Sequence, residues 1–112
     1  MLIEEILTAL PDIKIMILEP FCLDGPAMEE TDKHKSIYTE FRADIEEKAV
    51  AAKRIAENFG LSFVPLQEKF DSVYNPNNPT YWSFDGVHPT PAGHALITHE
   101  GLDMFNEIRV KI

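Results

Sequence analysis

The chain has 112 residues, 45% of them hydrophobic and 26% charged, a balance that belongs to folded globular proteins and allows one modest core. Nineteen acidic against ten basic side chains give a formal charge of −9, which argues against nucleic acid and anionic membranes as partners because both would be repelled. The longest apolar stretch is too short to span a bilayer, the start lacks the basic residues of a signal peptide, and Cys22 is the only cysteine, so the expectation is a cytoplasmic protein with no internal disulfide, no metal site and no cofactor.

In chain order, Leu2, Ile3, Ile6, Leu7 and Leu10 recur at helical spacing and stop at Pro11, which predicts a short amphipathic helix. Ile13 to Leu18 is β-branched and almost continuously apolar, as a strand covered on both faces would be, and Pro20 ends it. Glu19, Pro20 and Phe21 then sit at its C-terminal tip, with Glu19 expected to meet solvent. Cys22 to Lys35 has no period and reads as a loop over a site, with Cys22 as a small buried hydrophobe. From Ser36 to Asn58 the residues Ile37, Phe41, Ile45, Ala49, Ala52 and Ile55, followed by Phe59, trace one face of a long helix whose other face is charged and solvated, and Gly60 can cap it in the left-handed conformation. Leu61 to Leu66 is a second short strand, Gln67 to Tyr74 begins a further helix, and Asn75 to Pro79 is a turn. The last helix is predicted from Pro91 to about Glu107, with Thr90 as its N-cap.

Strands alternating with helices imply a parallel sheet with ligands bound beyond the C-terminal strand ends. Two strands alone cannot cover such a sheet, so the pattern reads as the second half of a larger α/β domain. The chemistry is concentrated in the run Trp82-Ser83-Phe84-Asp85-Gly86-Val87-His88-Pro89-Thr90-Pro91-Ala92-Gly93-His94. There a carboxylate and an imidazole stand three residues apart on a Gly/Pro-braced loop ahead of a helix, an arrangement that presents an acid and a base together.

The block Asp85-Gly86-Val87-His88-Pro89-Thr90 with Gly93-His94 resembles the final block, an Asp-x-x-His-Pro before the last helix, of the GDSL-type esterases and acylhydrolases, the SGNH hydrolase superfamily. The order of elements agrees over nearly the whole chain: helix, apolar strand ending Glu19-Pro20-Phe21, long helix, strand ending Val64-Pro65-Leu66, Tyr81-Trp82, then the Asp/His loop. The resemblance implies a flavodoxin-like three-layer α/β/α fold with a parallel sheet, of which residues 1–112 form the incomplete C-terminal part. It also implies ester hydrolysis by a Ser-His-Asp triad, with His88 as general base and Asp85 orienting it. Among subgroups the pattern is similar to bacterial enzymes that deacetylate plant-type oligosaccharides, so the substrate implied is a small ester or an acetylated oligosaccharide.

The Gly-Asp-Ser nucleophile block and the Gly-x-Asn-Asp oxyanion block of that family do not occur here. Asp71-Ser72 echoes the first, but without its glycine or a strand directly before it. The isolated chain is therefore expected to be inactive. It reads either as a piece whose upstream half supplies the serine or as a non-catalytic module that oligomerises through its exposed sheet edge. His94 reads as a packing or hydrogen-bonding residue, and His34 and His99 as surface residues. His88, His94 and His99 do not form a helical zinc pair. Tyr81, Trp82 and Phe84 suit an acyl or sugar pocket and core packing equally.

Overall fold

A computed structural model of the chain describes residues 1–25, 28 and 37–111. The elements are α1 (Leu2–Ala9), β1 (Met16–Leu18), α2 (Tyr38–Phe59), β2 (Ser62–Val64), α3 (Gln67–Val73) and α4 (Pro91–Lys111). β1 and β2 pair in parallel, Met16 with Ser62, Ile17 with Phe63 and Leu18 with Val64. α2 packs on both strands and α4 on β2, which makes an incomplete flavodoxin-like α/β arrangement built on one βαβ unit. Of the expected loop from Cys22 to Lys35, residues 22–25 and 28 are described; the remainder, with His34 and Ser36, lies outside the described residues.

Both strands are shorter than the apolar runs that contain them. A strand extends only as far as its partner, and β2 offers three residues, so Ile13 to Ile15 remain unpaired although their side chains suit a sheet. The expectation that the first strand is covered on both faces also fails, because Leu18 is 47% exposed. α2 ends as its glycine requires. Gly60 sits at φ 65°, ψ 32°, and its N–H and that of Leu61 turn back onto the last carbonyls, the Leu61 N–H reaching Ala56 O at 2.8 Å. α4 runs to Lys111, beyond the expected end near Glu107, since residues 108–111 hold no glycine or proline to stop it.

The core is small: Leu23, Val64, Leu66 and Phe70 are buried together, with Met16, Phe21, Tyr74, Trp82, Leu96, Ile97 and Met104 packed around them. Phe70 is its hub, stacked on Phe21 with ring centroids 4.2 Å apart and edge-on to Trp82 at 6.3 Å. This cluster joins α3, the segment leaving β1 and the start of the Asp/His loop. Cys22 is fully buried, as expected, and burial pushes its thiol pKa up.

Candidate functional site

The loop from Ser83 to Pro89 closes on itself. Ser83 and Pro89 form an antiparallel bridge, the Phe84 N–H donates to His88 O at 3.0 Å, and the Thr90 N–H donates to Trp82 O at 3.1 Å. Ser83 is buried inside this turn, where its hydroxyl donates to His88 O at 3.0 Å and accepts the Gly86 N–H at 2.8 Å. Gly86 adopts φ 96°, and an added Cβ there would lie 2.2 Å from Leu23 O, so this position excludes any other residue on two counts. Thr90 caps α4 as expected: its hydroxyl accepts the Gly93 N–H at 3.1 Å and donates to Tyr81 O at 2.6 Å.

On this frame Asp85 and His88 come together. Asp85 Oδ2 lies 2.6 Å from His88 Nδ1, while Oδ1 accepts the backbone N–H groups of His88 at 2.7 Å and Val87 at 2.9 Å. The His88 N–H, then its ring, then the Val87 N–H hold the Asp85 carboxyl well below the usual carboxylate range. A carboxylate in this state fixes its donor on Nδ1, which leaves Nε2 as the proton-accepting nitrogen of the neutral ring. The His88 side chain is 77% exposed, so that nitrogen is open to a reactant.

The Leu23 N–H donates to Gly86 O at 2.8 Å, tying the loop to the segment that leaves the carboxyl end of β1. That is the side on which parallel sheets bind ligands.

The other candidates divide. Trp82 belongs to the core and donates its indole N–H to Val73 O at 3.2 Å, whereas Tyr81, two residues before the loop, and Phe84 within it are 52% and 61% exposed. Ser72 donates to Lys69 O within its own helix at 2.7 Å, and among the described residues no serine hydroxyl is hydrogen-bonded to the His88 ring. His94 is exposed, not packed. His99 is exposed on α4, its Nδ1 3.4 Å from Glu100 and 3.7 Å from Asp103.

Glu19 is a correction: it does not simply meet solvent. Its Oε1 accepts the backbone N–H groups of Leu66 at 3.0 Å and Gln67 at 2.7 Å, satisfying the open donors at the start of α3. Ser83 was missed as a site residue, although a serine three residues ahead of a glycine is the local signal for the turn it makes.

The sequence profile of the GDSL-like Lipase/Acylhydrolase family matches residues 1–96. The chain belongs to this family. A crystal structure of a protein from Parabacteroides merdae ATCC 43184, described as a GDSL-like lipase, superposes with a TM-score of 0.68 at 34% sequence identity over 92% of the chain. The chain spans 44% of the length of that relative, less than half of it. No curated protein matches the chain. As a GDSL-like family member the chain has its Asp/His loop at residues 85–88, inside the span that the family profile covers.

Proposed function

We propose that this chain supplies the acid–base part of a serine-type ester hydrolase. His88 Nε2 takes the proton of a serine hydroxyl as that oxygen attacks the ester carbonyl, then returns it to the departing alcohol; in the second half-reaction it activates water in the same way. Asp85 holds Nδ1–H and stabilises the imidazolium formed in each half-reaction. The observation that carries this reading is the 2.6 Å contact between Asp85 Oδ2 and His88 Nδ1 on a loop whose backbone is fixed at Ser83, Gly86 and His88. Family membership supports esterase or acylhydrolase chemistry in general. For the substrate, the exposed rings of Tyr81 and Phe84 in the segment that carries the pair, and the resemblance of the sequence pattern to oligosaccharide deacetylases, favour an acetyl ester on a carbohydrate.

The serine must come from residues that the described part of the chain does not place at His88. The isolated chain is therefore expected to hydrolyse p-nitrophenyl acetate no faster than its His88→Ala variant. Mixed with, or fused to, the part of the Parabacteroides merdae relative that it does not cover, it should turn the ester over, and His88→Ala and a serine-directed fluorophosphonate should each abolish that turnover. Turnover that survives His88→Ala would overturn the assignment. A second reading, a non-catalytic module that associates through its open sheet, is favoured by the exposure of Leu18 and by the absence of buried residues in α1.

A further inference from the structure

Among the described residues, α3 makes no hydrogen bond to Asp85 or His88, yet one of its faces grips the segment against which their loop is built. Gln67 and Phe70 fall on that face three residues apart, and Tyr74, the residue that ends the helix, follows four residues later. The Gln67 amide clamps the backbone of Cys22 from both sides, Oε1 accepting its N–H at 3.0 Å and Nε2 donating to its carbonyl at 2.9 Å. Phe70 stacks on Phe21 and packs against Leu23, and the Tyr74 hydroxyl donates to Asp24 O at 2.9 Å.

The gripped segment touches the loop without slack. Besides the Leu23–Gly86 hydrogen bond, a Cβ on Gly25 would lie 2.9 Å from the Asp85 carbonyl carbon, and one on Gly86 would lie 2.2 Å from Leu23 O. Backbone meets backbone at both points, so a shift of residues 22–25 must move Asp85 and Gly86 with them.

We infer that Gln67, with Tyr74 behind it, is a positioning residue for the Asp85–His88 pair: by fixing residues 22–24 it sets, through Leu23 and Gly86, the geometry in which Asp85 holds the imidazole. Its catalytic meaning rests on the function proposed above, but the geometric effect does not. A residue that only helped the chain to fold would lower stability and leave the pair unchanged once folded.

The test reads the His88 tautomer in the neutral ring from 15N shifts of histidine-labelled chain, where Asp85 favours Nδ1–H and the Asp85→Asn variant marks loss of that preference. Gln67→Met, which keeps the length and removes the amide, should lower the Nδ1–H preference by about fivefold, the effect of spoiling one hydrogen bond. Gly60→Ala, which strains the distant end of α2, should lower stability and leave the tautomer as it is. If Gln67→Met does not fold, Tyr74→Phe removes a single oxygen and should shift the tautomer in the same direction. A folded Gln67→Met, or in its place Tyr74→Phe, with an unchanged tautomer overturns the inference, as does an equal shift in Gly60→Ala. A shifted tautomer in a chain whose complemented form hydrolyses no ester would leave the positioning role standing and sink the function.

Discussion

Asp85 has one oxygen for the ring of His88 and the other for two backbone N–H groups, so replacing it changes the tautomer without removing the side chain. On the function proposed above, Asp85→Asn in the complemented chain should cost on the order of 10⁴ in kcat, because the amide places a donor where an acceptor is needed. A loss under tenfold, measured beside His88→Ala, would show that the orientation of the imidazole does not limit the reaction. The same contacts set a pH window. Asp85 is held below the ordinary carboxylate value, so its contribution to folding is present above about pH 4 and is lost progressively as pH falls from there through its own lower value. Acid unfolding followed by circular dichroism should accordingly start at higher pH in Asp85→Asn than in the parent chain. Ser83 carries a different prediction. Without its hydroxyl the buried Gly86 N–H has no acceptor, so Ser83→Ala should destabilise the chain by about 1–3 kcal/mol despite the small change in volume; a loss below about 0.5 kcal/mol in urea melts would mean that the turn is held by its backbone alone.

Two glycines separate local geometry from packing at the scale of elements. Gly60 closes α2 in the left-handed region with open space around it, so Gly60→Ala is strained by its φ alone and should lose about 1 kcal/mol. Gly101 lies inside α4, also in open space, and Gly101→Ala should gain about 0.5–1 kcal/mol by helix propensity. Thermal transitions moving in opposite directions by about 4 °C would bear out both; a gain for Gly60→Ala would refute the cap. What was legible in the sequence follows the same division. The amphipathic period of α1, the Gly60 cap, the Thr90 N-cap and the meeting of Asp85 with His88 depend on neighbours within a few residues. The strand ends did not show, because β1 stops where β2 has nothing to pair with it. Nor did Glu19 and Gln67, whose partners lie 45 to 48 residues away and whose side chains look like ordinary surface polar groups. No composition rule assigns a glutamate to the first N–H groups of a helix that starts 48 residues later.

For the whole molecule, the radius of gyration of 16.4 Å exceeds the roughly 13 Å of a compact chain of this length, and the extents of 53 × 27 × 19 Å describe an elongated body. A narrow, elongated body has too little interior for its apolar residues. Leu2 and Leu10 at the two ends of the α1 stripe, Ile13 and Leu18 along the first apolar run, and Leu102, Phe105 and Val110 on α4 are all more than 40% exposed. Among the described residues β1 and β2 pair only with each other, which leaves an open edge on each. Apolar burial would therefore drive association, while nine net negative charges on each copy oppose it. The repulsion is screened by salt and the apolar attraction is not, so the isolated chain should become more associated as salt is raised from about 20 mM to about 0.5 M, the reverse of an assembly held by ion pairs. Sedimentation velocity at the two concentrations measures this directly, and Leu18→Glu, which places a charge on the exposed strand, should restore the monomer at high salt. A chain that stays monomeric in both buffers would show that the exposed apolar residues and open strand edges do not drive self-association, and would remove the support they lend to the non-catalytic module.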